Sequence, residues 1–299
     1  MCSTCGCGDS NKIEIKRPNG GNSFEINPMG LKYDHQHDHS HDGHMHSHDH
    51  THAVNSEHDH EHAHNHQHEH SHDHSHDHNH GRNNIIQLET DILSANNLLA
   101  ERNRGYFEAK NIFALNLVSS PGSGKTSILE RTLTDLGQEI KFSVIEGDQQ
   151  TTNDADRINA TKIPVVQINT GQGCHLDSDM IYHGLKELKP EDNSILFIEN
   201  VGNLVCPALF KLGENLRVVI ISVTEGDDKP IKYPDMFASS DICIINKIDL
   251  LPYVNFNVAK AKEYALKVNH HLQFIELSAT SGAGMEEWYN FLRKNIQSN

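Results

Sequence analysis

The sequence predicts an α/β fold with a mostly parallel, doubly wound sheet. Seven apolar runs alternate with stretches of helical periodicity, and turn-forming residues bound each run. The runs are apolar throughout, which is typical of strands that helices cover on both faces. The predicted strands span residues 113–120, 141–148, 164–170, 194–200, 216–223, 241–247 and 272–279. A helix over residues 85–107 is predicted to lead into the sheet, because its apolar residues recur at roughly helical spacing.

Composition divides the 299-residue chain into four sections. Residues 1–8 form a Cys/Gly head, residues 9–34 a polar linker that we predict to be flexible, and residues 83–299 an ordinary globular domain. Residues 35–80 carry 21 of the 25 histidines, 9 acids and no Lys or Arg. This His-rich tract has few apolar side chains to offset the entropy of ordering, so we expect it to be disordered without metal.

Charge and hydropathy exclude several classes of partner. The formal net charge is −16 and there is no basic stripe, so neither a nucleic acid nor an anionic membrane surface is expected as a partner. No run approaches about 18 apolar residues, and the chain opens without a basic-then-apolar signal region, so we expect a cytoplasmic protein. In that reducing compartment the six cysteines are expected to be thiols.

A phosphate-binding loop follows the first of these strands. The segment Ser119-Ser120-Pro121-Gly122-Ser123-Gly124-Lys125-Thr126 matches the P-loop pattern, with Ser119 in place of the usual first Gly. Gly122 and Gly124 let backbone N–H groups face a β-phosphate, and the start of the following helix adds positive potential. Lys125 is expected to reach the β- and γ-phosphates, and Thr126 to offer its hydroxyl to Mg²⁺.

The base is predicted to be guanine. The segment Asn246-Lys247-Ile248-Asp249 ends a strand, and the Asp249 carboxylate can accept both N1–H and N2–H₂ of guanine, whereas adenine would leave it unpaired. Lys247 can lay its stem along the base, and a backbone N–H near Ser278 and Ala279 can meet guanine O6. The predicted nucleotide-binding residues are Gly122, Ser123, Gly124, Lys125, Thr126, Ser127, Gly202, Asn246, Lys247, Asp249, Ser278 and Ala279.

Acidic residues at two strand ends are expected to bind the metal and to act at the γ-phosphate. Asp148 closes the second strand and is our first choice for Mg²⁺, directly or through water. Glu199 stands where GTPases usually have Asp, and it is expected to hold Mg²⁺ through water or to orient the attacking water. Gly202 would present its N–H to the γ-phosphate. The predicted catalytic residues are therefore Lys125, Thr126, Asp148 and Glu199, of which the last three are the predicted Mg²⁺ ligands.

The head is predicted to bind a transition metal. Cys2, Cys5 and Cys7 place three thiols on one short segment, and Gly6 lets the chain turn tightly around an ion. Soft thiolates suit Zn²⁺, Cu(I) and Ni(II), and a planar set of sulfur and nitrogen ligands would favour Ni(II). The imidazoles of the His-rich tract are expected to bind Ni²⁺, Zn²⁺ or Cu²⁺ at many weak sites, which suits buffering or storage.

A second metal site is predicted inside the globular domain. Cys174 and His175 follow a strand, and Cys206 follows the segment expected to sense the γ-phosphate, so the geometry of such a site would depend on the nucleotide. Two or three ligands per subunit leave the coordination incomplete, which favours a site shared across a dimer. The alternative is that Cys174 and Cys206 are simply small buried residues. Cys243, inside an apolar strand, is predicted to be core.

These motifs together resemble the HypB family of hydrogenase nickel-incorporation GTPases. The resemblance rests on MCSTCGCG, the His-rich tract, SSPGSGKT, GxGCHLD, ENVGNLVCP and NKID, and it spans the whole chain. It implies a SIMIBI-class P-loop fold, GTP hydrolysis, and nickel delivery during maturation of [NiFe] hydrogenase. It also implies a HypA-type zinc-containing partner, a hydrogenase large-subunit precursor as recipient, and a homodimer promoted by GTP or metal. Cys2, Cys5 and Cys7 match the family's tight nickel site, and Cys174, His175 and Cys206 match its GTPase-domain site for nickel or zinc.

Three other functions stay open at this point. A urease-type nickel GTPase shares the fold class, although the Cys-rich head and the GCH motif count against it. A passive metal store with a vestigial nucleotide domain is disfavoured by the intact phosphate loop and NKID. An ATP-driven partitioning or electron-transfer ATPase would require a preference for ATP, which NKID argues against.

Overall fold

The computed structural model describes residues 13–17, 24–26, 33–41, 44–52, 80–148, 153–171 and 173–297. The predicted metal-binding head, with Cys2, Cys5 and Cys7, lies outside the described residues. The strands are β1 (Ile13–Lys16), β2 (Phe24–Ile26), β3 (Tyr33–His41), β4 (His44–His52), β5 (Ile112–Ser119), β6 (Phe142–Asp148), β7 (Val165–Asn169), β8 (Ser194–Glu199), β9 (Leu216–Ser222), β10 (Ile242–Asn246) and β11 (Gln273–Glu276).

The helices alternate with the strands from residue 80 onward. They are α1 (His80–Lys110), α2 (Lys125–Leu136), α3 (Asn153–Asn159), α4 (Ser178–Leu188), α5 (Cys206–Leu209), α6 (Lys229–Lys232), α7 (Pro234–Ala238), a 3₁₀ helix (Ile248–Tyr253), α8 (Val258–Val268) and α9 (Met285–Gln297). The first helix is the one predicted over residues 85–107, and it extends further at both ends. Side chains cap two of the helix starts, because Asp177 accepts from Met180 N and Asn257 accepts from Lys260 N.

One sheet organises the domain, with strand order β11-β10-β9-β5-β8-β6-β7-β1-β2. The seven predicted strands are β5 to β11, and every pairing among them is parallel. Burial is continuous along β5, β8 and β10, as expected of strands covered on both faces. The prediction of a mostly parallel, doubly wound sheet is confirmed.

Helices cover both faces of the sheet. On one face, α2 and α9 pack through residues such as Leu133 and Trp288. On the other face, α1 and α4 pack through Phe107 and Ile181, and α7 and α8 pack over β9 and β10. Because all seven central strands are parallel, their carboxyl ends share one edge of the sheet, and the loops that leave this edge build the site.

The amino-terminal segment differs from its prediction. Within the predicted flexible linker 9–34, β1 pairs antiparallel with β7, and β2 pairs antiparallel with β1. Ile13 and Ile15 of β1 are 5% and 1% exposed. The linker prediction is therefore wrong for β1, because a short alternating strand gains its stability from a sheet edge that is distant in sequence.

Part of the His-rich tract lies in a second, separate sheet. Strands β3 and β4 pair antiparallel from Tyr33↔His52 to His41↔His44. A two-stranded ribbon is marginally stable in water without further packing. The disorder of the metal-free tract therefore stays a prediction, and residues 53–79 lie outside the described part of the chain. Among the described helices, none has the length and apolar character that crossing a membrane requires.

Candidate nucleotide and metal site

A tight loop joins β5 to α2 at the carboxyl edge of the sheet. Gly122 and Gly124 have φ angles of +76° and +92°, in the left-handed region that favours glycine. A Cβ on Gly124 would lie 2.4 Å from Asn246 Nδ2, so this position has no room for a side chain. A glycine-containing loop that leads directly into a helix start is the arrangement that binds phosphate through backbone N–H groups.

Polar side chains from the connection after β9 and from α6 contact this loop. Ser123 Oγ donates to Glu225 Oε1 at 2.8 Å, and Lys229 Nζ donates to Ser120 Oγ at 3.0 Å. Lys229 Nζ also lies 2.9 Å from Glu225 Oε2. Glu225 and Lys229 were not predicted from the sequence, because the short helix that carries Lys229 comes about 100 residues after the loop and has no recognisable motif.

Glu199 meets the two P-loop residues predicted to act on phosphate and metal. Its Oε1 accepts from Lys125 Nζ at 2.7 Å and from Thr126 Oγ1 at 2.5 Å. The Glu199 side chain is fully buried. The structure thus brings three of the four predicted catalytic residues into direct contact.

The residues of this cluster fit a hard divalent cation. Among the described residues, Glu199 Oε2 and Glu146 Oε2 are buried without a hydrogen-bond partner. These carboxylates are cross-strand neighbours on β8 and β6, so two acids and the Thr126 hydroxyl converge. Burial, followed by the negative charge of Glu199 and of Asp148, raises the pKa of Glu146 to about 9. A set of oxygen-only ligands such as this suits Mg²⁺.

Asp148 and Ser127 lie on the elements that border this cluster. Asp148 is the last residue of β6 and is partly exposed, and its backbone oxygen accepts from Thr170 N at 2.8 Å. Ser127 lies in the first turn of α2, where its Oγ accepts from Arg157 at 3.2 Å. Sequence reasoning preferred Asp148 to Glu146, although Glu146 is the more deeply buried acid. The sequence signal that could have identified Glu146 is a carboxylate inside an otherwise apolar strand.

Asn246 connects the three loops predicted to hold the nucleotide. Its Nδ2 donates to Ser123 O at 2.8 Å, and its Oδ1 accepts from Lys247 N at 2.7 Å and from Ala279 N at 3.3 Å. Lys247 Nζ donates to Gly122 O at 2.7 Å. The amide of Asn246 therefore holds the three loops together.

The residues predicted to recognise guanine lie on the segments around Asn246. Asp249 is exposed on the 3₁₀ helix that follows β10. Ser278 is buried and lies next to Ala279 in the loop after β11. That loop closes on itself through Ser278 N to Ala283 O, which is why β11 is shorter than predicted. Gly202, in the segment after β8, lies against the phosphate loop, since a Cβ there would be 3.3 Å from Pro121 Cα.

The predicted inner metal site is assembled beside the nucleotide site. Cys174, His175 and Cys206 offer ligand atoms that all lie within 4.8 Å of one another, and Cys174 Sγ is 3.7 Å from His175 Nδ1. We call these three residues the inner cluster. The His175 ring stacks on Phe210 with a centroid distance of 3.9 Å, and burial lowers the pKa of His175 to about 4. The imidazole is therefore neutral near pH 7, as a metal ligand must be.

The remaining cysteine of the domain is structural. Cys243 is fully buried within β10, and burial raises the pKa of its thiol. It packs with residues of β9 and α8, as the sequence predicts.

Asn200 links the nucleotide side to the inner cluster. Its Oδ1 accepts from Val201 N at 3.0 Å and from Leu176 N at 3.1 Å, and Leu176 directly follows His175. Its Nδ2 donates to Asn116 Oδ1 at 3.3 Å, and its backbone N–H donates to Leu117 O on β5. The side chain is fully buried. One residue after Glu199, the chain is thus hydrogen-bonded to the loop that carries two of the three cluster ligands.

A second, weaker link runs from the same segment. Asn203 Nδ2 donates to Cys174 O at 3.4 Å, and Asn203 Oδ1 accepts from Val205 N at 2.8 Å. Val205 immediately precedes Cys206. Asn203 therefore holds the segment after β8 against the backbone of the first cluster ligand.

Comparisons with known proteins agree with this architecture. Residues 113–276 match the family described as CobW/HypB/UreG, nucleotide-binding domain. The hydrogenase maturation factor HypB of Rhizobium leguminosarum bv. viciae is 59% identical over 208 residues, which cover 70% of each chain.

Two solved structures are also similar. HypB of Archaeoglobus fulgidus is 43% identical with a TM-score of 0.64, and the match covers 68% of this chain and 99% of that one. HypB of Helicobacter pylori, solved in complex with nickel, is 39% identical with a TM-score of 0.64, and the match covers 69% of this chain and 96% of that one. The phosphate loop, its buried glutamate and the sequence relatives lead to one conclusion: the chain belongs to the HypB family of nucleotide-binding hydrogenase maturation factors.

Proposed function

We propose that this protein is a GTP-hydrolysing nickel metallochaperone that binds Ni(II) and delivers it for maturation of [NiFe] hydrogenase. The observation that carries the proposal is the adjacency of Glu199 and Asn200. Glu199 contacts the lysine and threonine of the phosphate loop, and Asn200 is hydrogen-bonded to the backbone of the inner-cluster loop. A change at the γ-phosphate therefore has a short, fully buried route to the metal ligands.

The nucleotide chemistry follows from the polar residues around the loop. Lys125 is paired with Glu199, so GTP binding requires the lysine to exchange this partner for the β- and γ-phosphates. Mg²⁺, held by Thr126, Glu199 and Asp148, would offset the charge of the phosphates. Glu199 would also orient the attacking water, and the Gly202 N–H would donate to the γ-phosphate. Asp249 and Lys247 select guanine.

Nickel is the cargo of the inner cluster. Two thiolates and a neutral imidazole suit Ni(II), and the same set suits Zn²⁺ as a regulatory occupant. Three ligands leave the coordination sphere open, which favours a homodimer promoted by GTP or metal that completes it. Val205 and Leu209, which flank Cys206, are 57% and 50% exposed and offer apolar surface for such an interface.

The remaining parts of the chain complete the proposed delivery route. The head supplies a tight nickel site through Cys2, Cys5 and Cys7, and the His-rich tract buffers or stores nickel. A HypA-type zinc-containing chaperone receives the ion in the cytoplasm, and the hydrogenase large-subunit precursor is the final recipient. The Archaeoglobus and Helicobacter structures support this assignment through the family, since the Helicobacter protein was solved with nickel.

The direct test measures whether nucleotide and nickel binding are coupled. The full chain with Cys2, Cys5 and Cys7 replaced by Ser is titrated with Ni²⁺ in GDP and in a non-hydrolysable GTP analogue. Thiolate-to-nickel absorption reports only sulfur-bound nickel, so the His-rich tract does not contribute. Coupling of this kind typically changes affinity by about 5- to 150-fold.

A matched variant controls the result. Lys125→Ala removes the phosphate-binding ammonium and should abolish the difference between nucleotides while leaving the inner cluster intact. Equal nickel affinities in GDP and in the GTP analogue for the parent chain would rule out the switch. Release of phosphate from GTP, measured in the same preparation, tests the hydrolysis.

A further inference from the structure

A buried ion pair joins the beginning of β9 to the segment that precedes it. Glu214 Oε1 lies 3.0 Å from Arg217 Nη2, and the two side chains are 8% and 5% exposed. Glu214 Oε2 also accepts from Leu212 N at 2.7 Å. Taking two charges out of water is costly, and only close pairing with further hydrogen bonds offsets that cost. Neither charged residue is a predicted metal ligand or part of the phosphate loop, so their other contacts indicate their role.

The Arg217 guanidinium uses all five of its N–H donors. Its Nε and Nη2 donate to Glu214 Oε1 at 3.3 Å and 3.0 Å. Its Nη1 donates to Ala208 O at 3.0 Å and to Ser239 Oγ at 2.9 Å, and Nη2 also donates to Phe210 O at 2.8 Å. Because the five donors form a rigid planar fork, one side chain fixes the positions of all these partners relative to one another.

Two of the acceptors are carbonyl groups at the end of α5. This helix has only four residues, too few to be stable through its own hydrogen bonds, and its last carbonyls have no partner within the helix. Arg217 supplies donors to Ala208 O and Phe210 O. Cys206 is the first residue of α5, and the Phe210 ring stacks on His175. One guanidinium therefore holds both the helix that carries one cluster ligand and the ring that packs on another.

The carboxylate of the pair is connected to the nucleotide side of the domain. Asn116 Nδ2 donates to Glu214 Oε1 at 3.1 Å, and Asn200 Nδ2 donates to Asn116 Oδ1 at 3.3 Å. Both asparagines are fully buried. A chain of buried hydrogen bonds thus runs from the residue after Glu199 to α5. It is separate from the link between Asn200 and the loop of His175.

We propose that Arg217 is a positioning residue that, through its pairing with Glu214, holds Cys206 within ligand distance of Cys174 and His175. The positioning does not depend on the proposed function, whereas transmission of the nucleotide state along this chain of hydrogen bonds rests on it. Residues that orient metal ligands without touching the ion typically contribute about 10- to 100-fold to metal affinity. Loss of the fork should therefore weaken nickel binding by about that factor, although all three ligands remain.

Two variants remove the fork in different ways. Arg217→Lys keeps a positive charge beside Glu214, but an ammonium presents its donors from one atom and cannot reproduce contacts made from three nitrogens. Arg217→Met combined with Glu214→Leu removes both charges, an exchange that is often neutral for stability, and it still leaves the α5 carbonyls without donors. The double variant keeps the test decisive if Arg217→Lys impairs folding. Ser239→Ala is the matched control, because it deletes a guanidinium contact that does not involve α5.

Bridging of two thiols tests the positioning without metal or nucleotide. In the full chain with the three head cysteines replaced by Ser, the reactive pair is Cys174 and Cys206, since Cys243 is fully buried. Dibromobimane becomes fluorescent once it joins two neighbouring thiols, and monobromobimane reports the accessibility of each thiol. The bridging rate, corrected for accessibility, should fall at least about 10-fold in both Arg217 variants, because intramolecular rates depend steeply on geometry. Ser239→Ala should bridge like the parent.

Nickel binding separates positioning from a general loss of stability. The same variants are titrated with Ni²⁺ in GDP, and the thiolate-to-nickel absorption per bound ion is recorded. If Cys206 is displaced, the spectrum of Arg217→Lys approaches that of Cys206→Ser, and the affinity falls about 10- to 100-fold. A variant that only lowers Tm would keep the parent spectrum. Parent-like bridging rates and spectra in both Arg217 variants would overturn the proposal.

The two measurements also separate this inference from the proposed function. If bridging slows in the Arg217 variants but the parent binds nickel equally in GDP and in the GTP analogue, the positioning stands and the nucleotide switch is wrong. If the parent's nickel affinity responds to nucleotide but the Arg217 variants bridge and bind like the parent, the proposed function stands and the positioning is wrong.

Discussion

Replacing Asn200 by Ala should uncouple the inner cluster from the nucleotide. The substitution removes the acceptor for Leu176 N and Val201 N and the donor to Asn116 Oδ1, all inside the protein. The ligands themselves are untouched, so nickel should still bind. What is lost is the direct connection between the residue after Glu199 and the residue after His175.

The cost in stability can be estimated from these contacts. Each buried N–H left without an acceptor costs about 1–3 kcal/mol, so the two donors together predict a loss of about 2–6 kcal/mol in the free energy of unfolding. For a domain of this size, 1 kcal/mol corresponds to about 2–4 °C in Tm. We therefore expect Tm to fall by at least about 4 °C in the absence of ligand.

The coupling is measured as the ratio of nickel dissociation constants in GDP and in a non-hydrolysable GTP analogue. In Asn200→Ala this ratio should fall to within about threefold of unity, because only the weaker link through Asn203 remains. GDP affinity should change little, since no atom of the Asn200 side chain lies in the phosphate loop.

A comparable asparagine elsewhere provides the control. Asn269 also makes three hydrogen bonds, but it lies at the opposite edge of the sheet. Its Nδ2 donates to Phe237 O and Ser240 O in half-buried contacts, and its Oδ1 accepts from His271 N in an exposed one. Asn269→Ala should lower Tm similarly and keep the nickel ratio of the parent chain. If Asn200→Ala retains the full ratio, or if both variants lose it equally, the reasoning from the hydrogen-bond network is refuted.

Three further predictions concern the nucleotide pocket. Asp249→Asn should weaken GTP binding at least about 100-fold, because the guanine donors lose a charged acceptor, and it should improve XTP binding. Competition against a fluorescent GDP measures both effects. A variant that still prefers GTP would contradict guanine recognition by Asp249. Gly124→Ala should abolish nucleotide binding, since its Cβ would meet Asn246 Nδ2 at 2.4 Å, whereas Gly105→Ala, with nothing within 4 Å, should bind GDP normally in the same titration. Glu146→Gln should stabilise the metal-free protein. Because the pKa of Glu146 is raised to about 9 from 4.5, this carboxyl makes the parent lose stability as pH rises above 4.5. Denaturant unfolding at pH 5 and pH 8 should show that the variant lacks this loss of stability.

The parallel sheet was predictable because its signal is local. Strands such as β5 and β8 are apolar at every position, and each ends in the polar residues of a functional loop. The spacing of the phosphate loop and of Asn246 to Asp249 likewise predicts the nucleotide-binding residues, since each motif is contiguous. The motif does not show that the Asn246 amide also holds the phosphate loop and the loop after β11 together, because a motif does not state which way an amide points.

Long-range pairings were the part that the sequence could not supply. The four residues of β1 were predicted to be part of a linker. Ile13 and Ile15 are buried because β1 pairs with β7, which is more than 150 positions away in the sequence. The roles of Glu146 and Asn200 were also missed, because each depends on a neighbour from another strand or loop.

The sequence alone determines the chemistry that this chain carries: a phosphate loop, a guanine motif, and thiols and imidazoles in three regions. These properties reside in side-chain types and short spacings, which survive without a fold. The tertiary structure decides how these parts communicate. It places Glu199 against Lys125 and Asn200 against the loop of His175. Communication depends on distance and on burial from water, and both arise only when remote segments pack together.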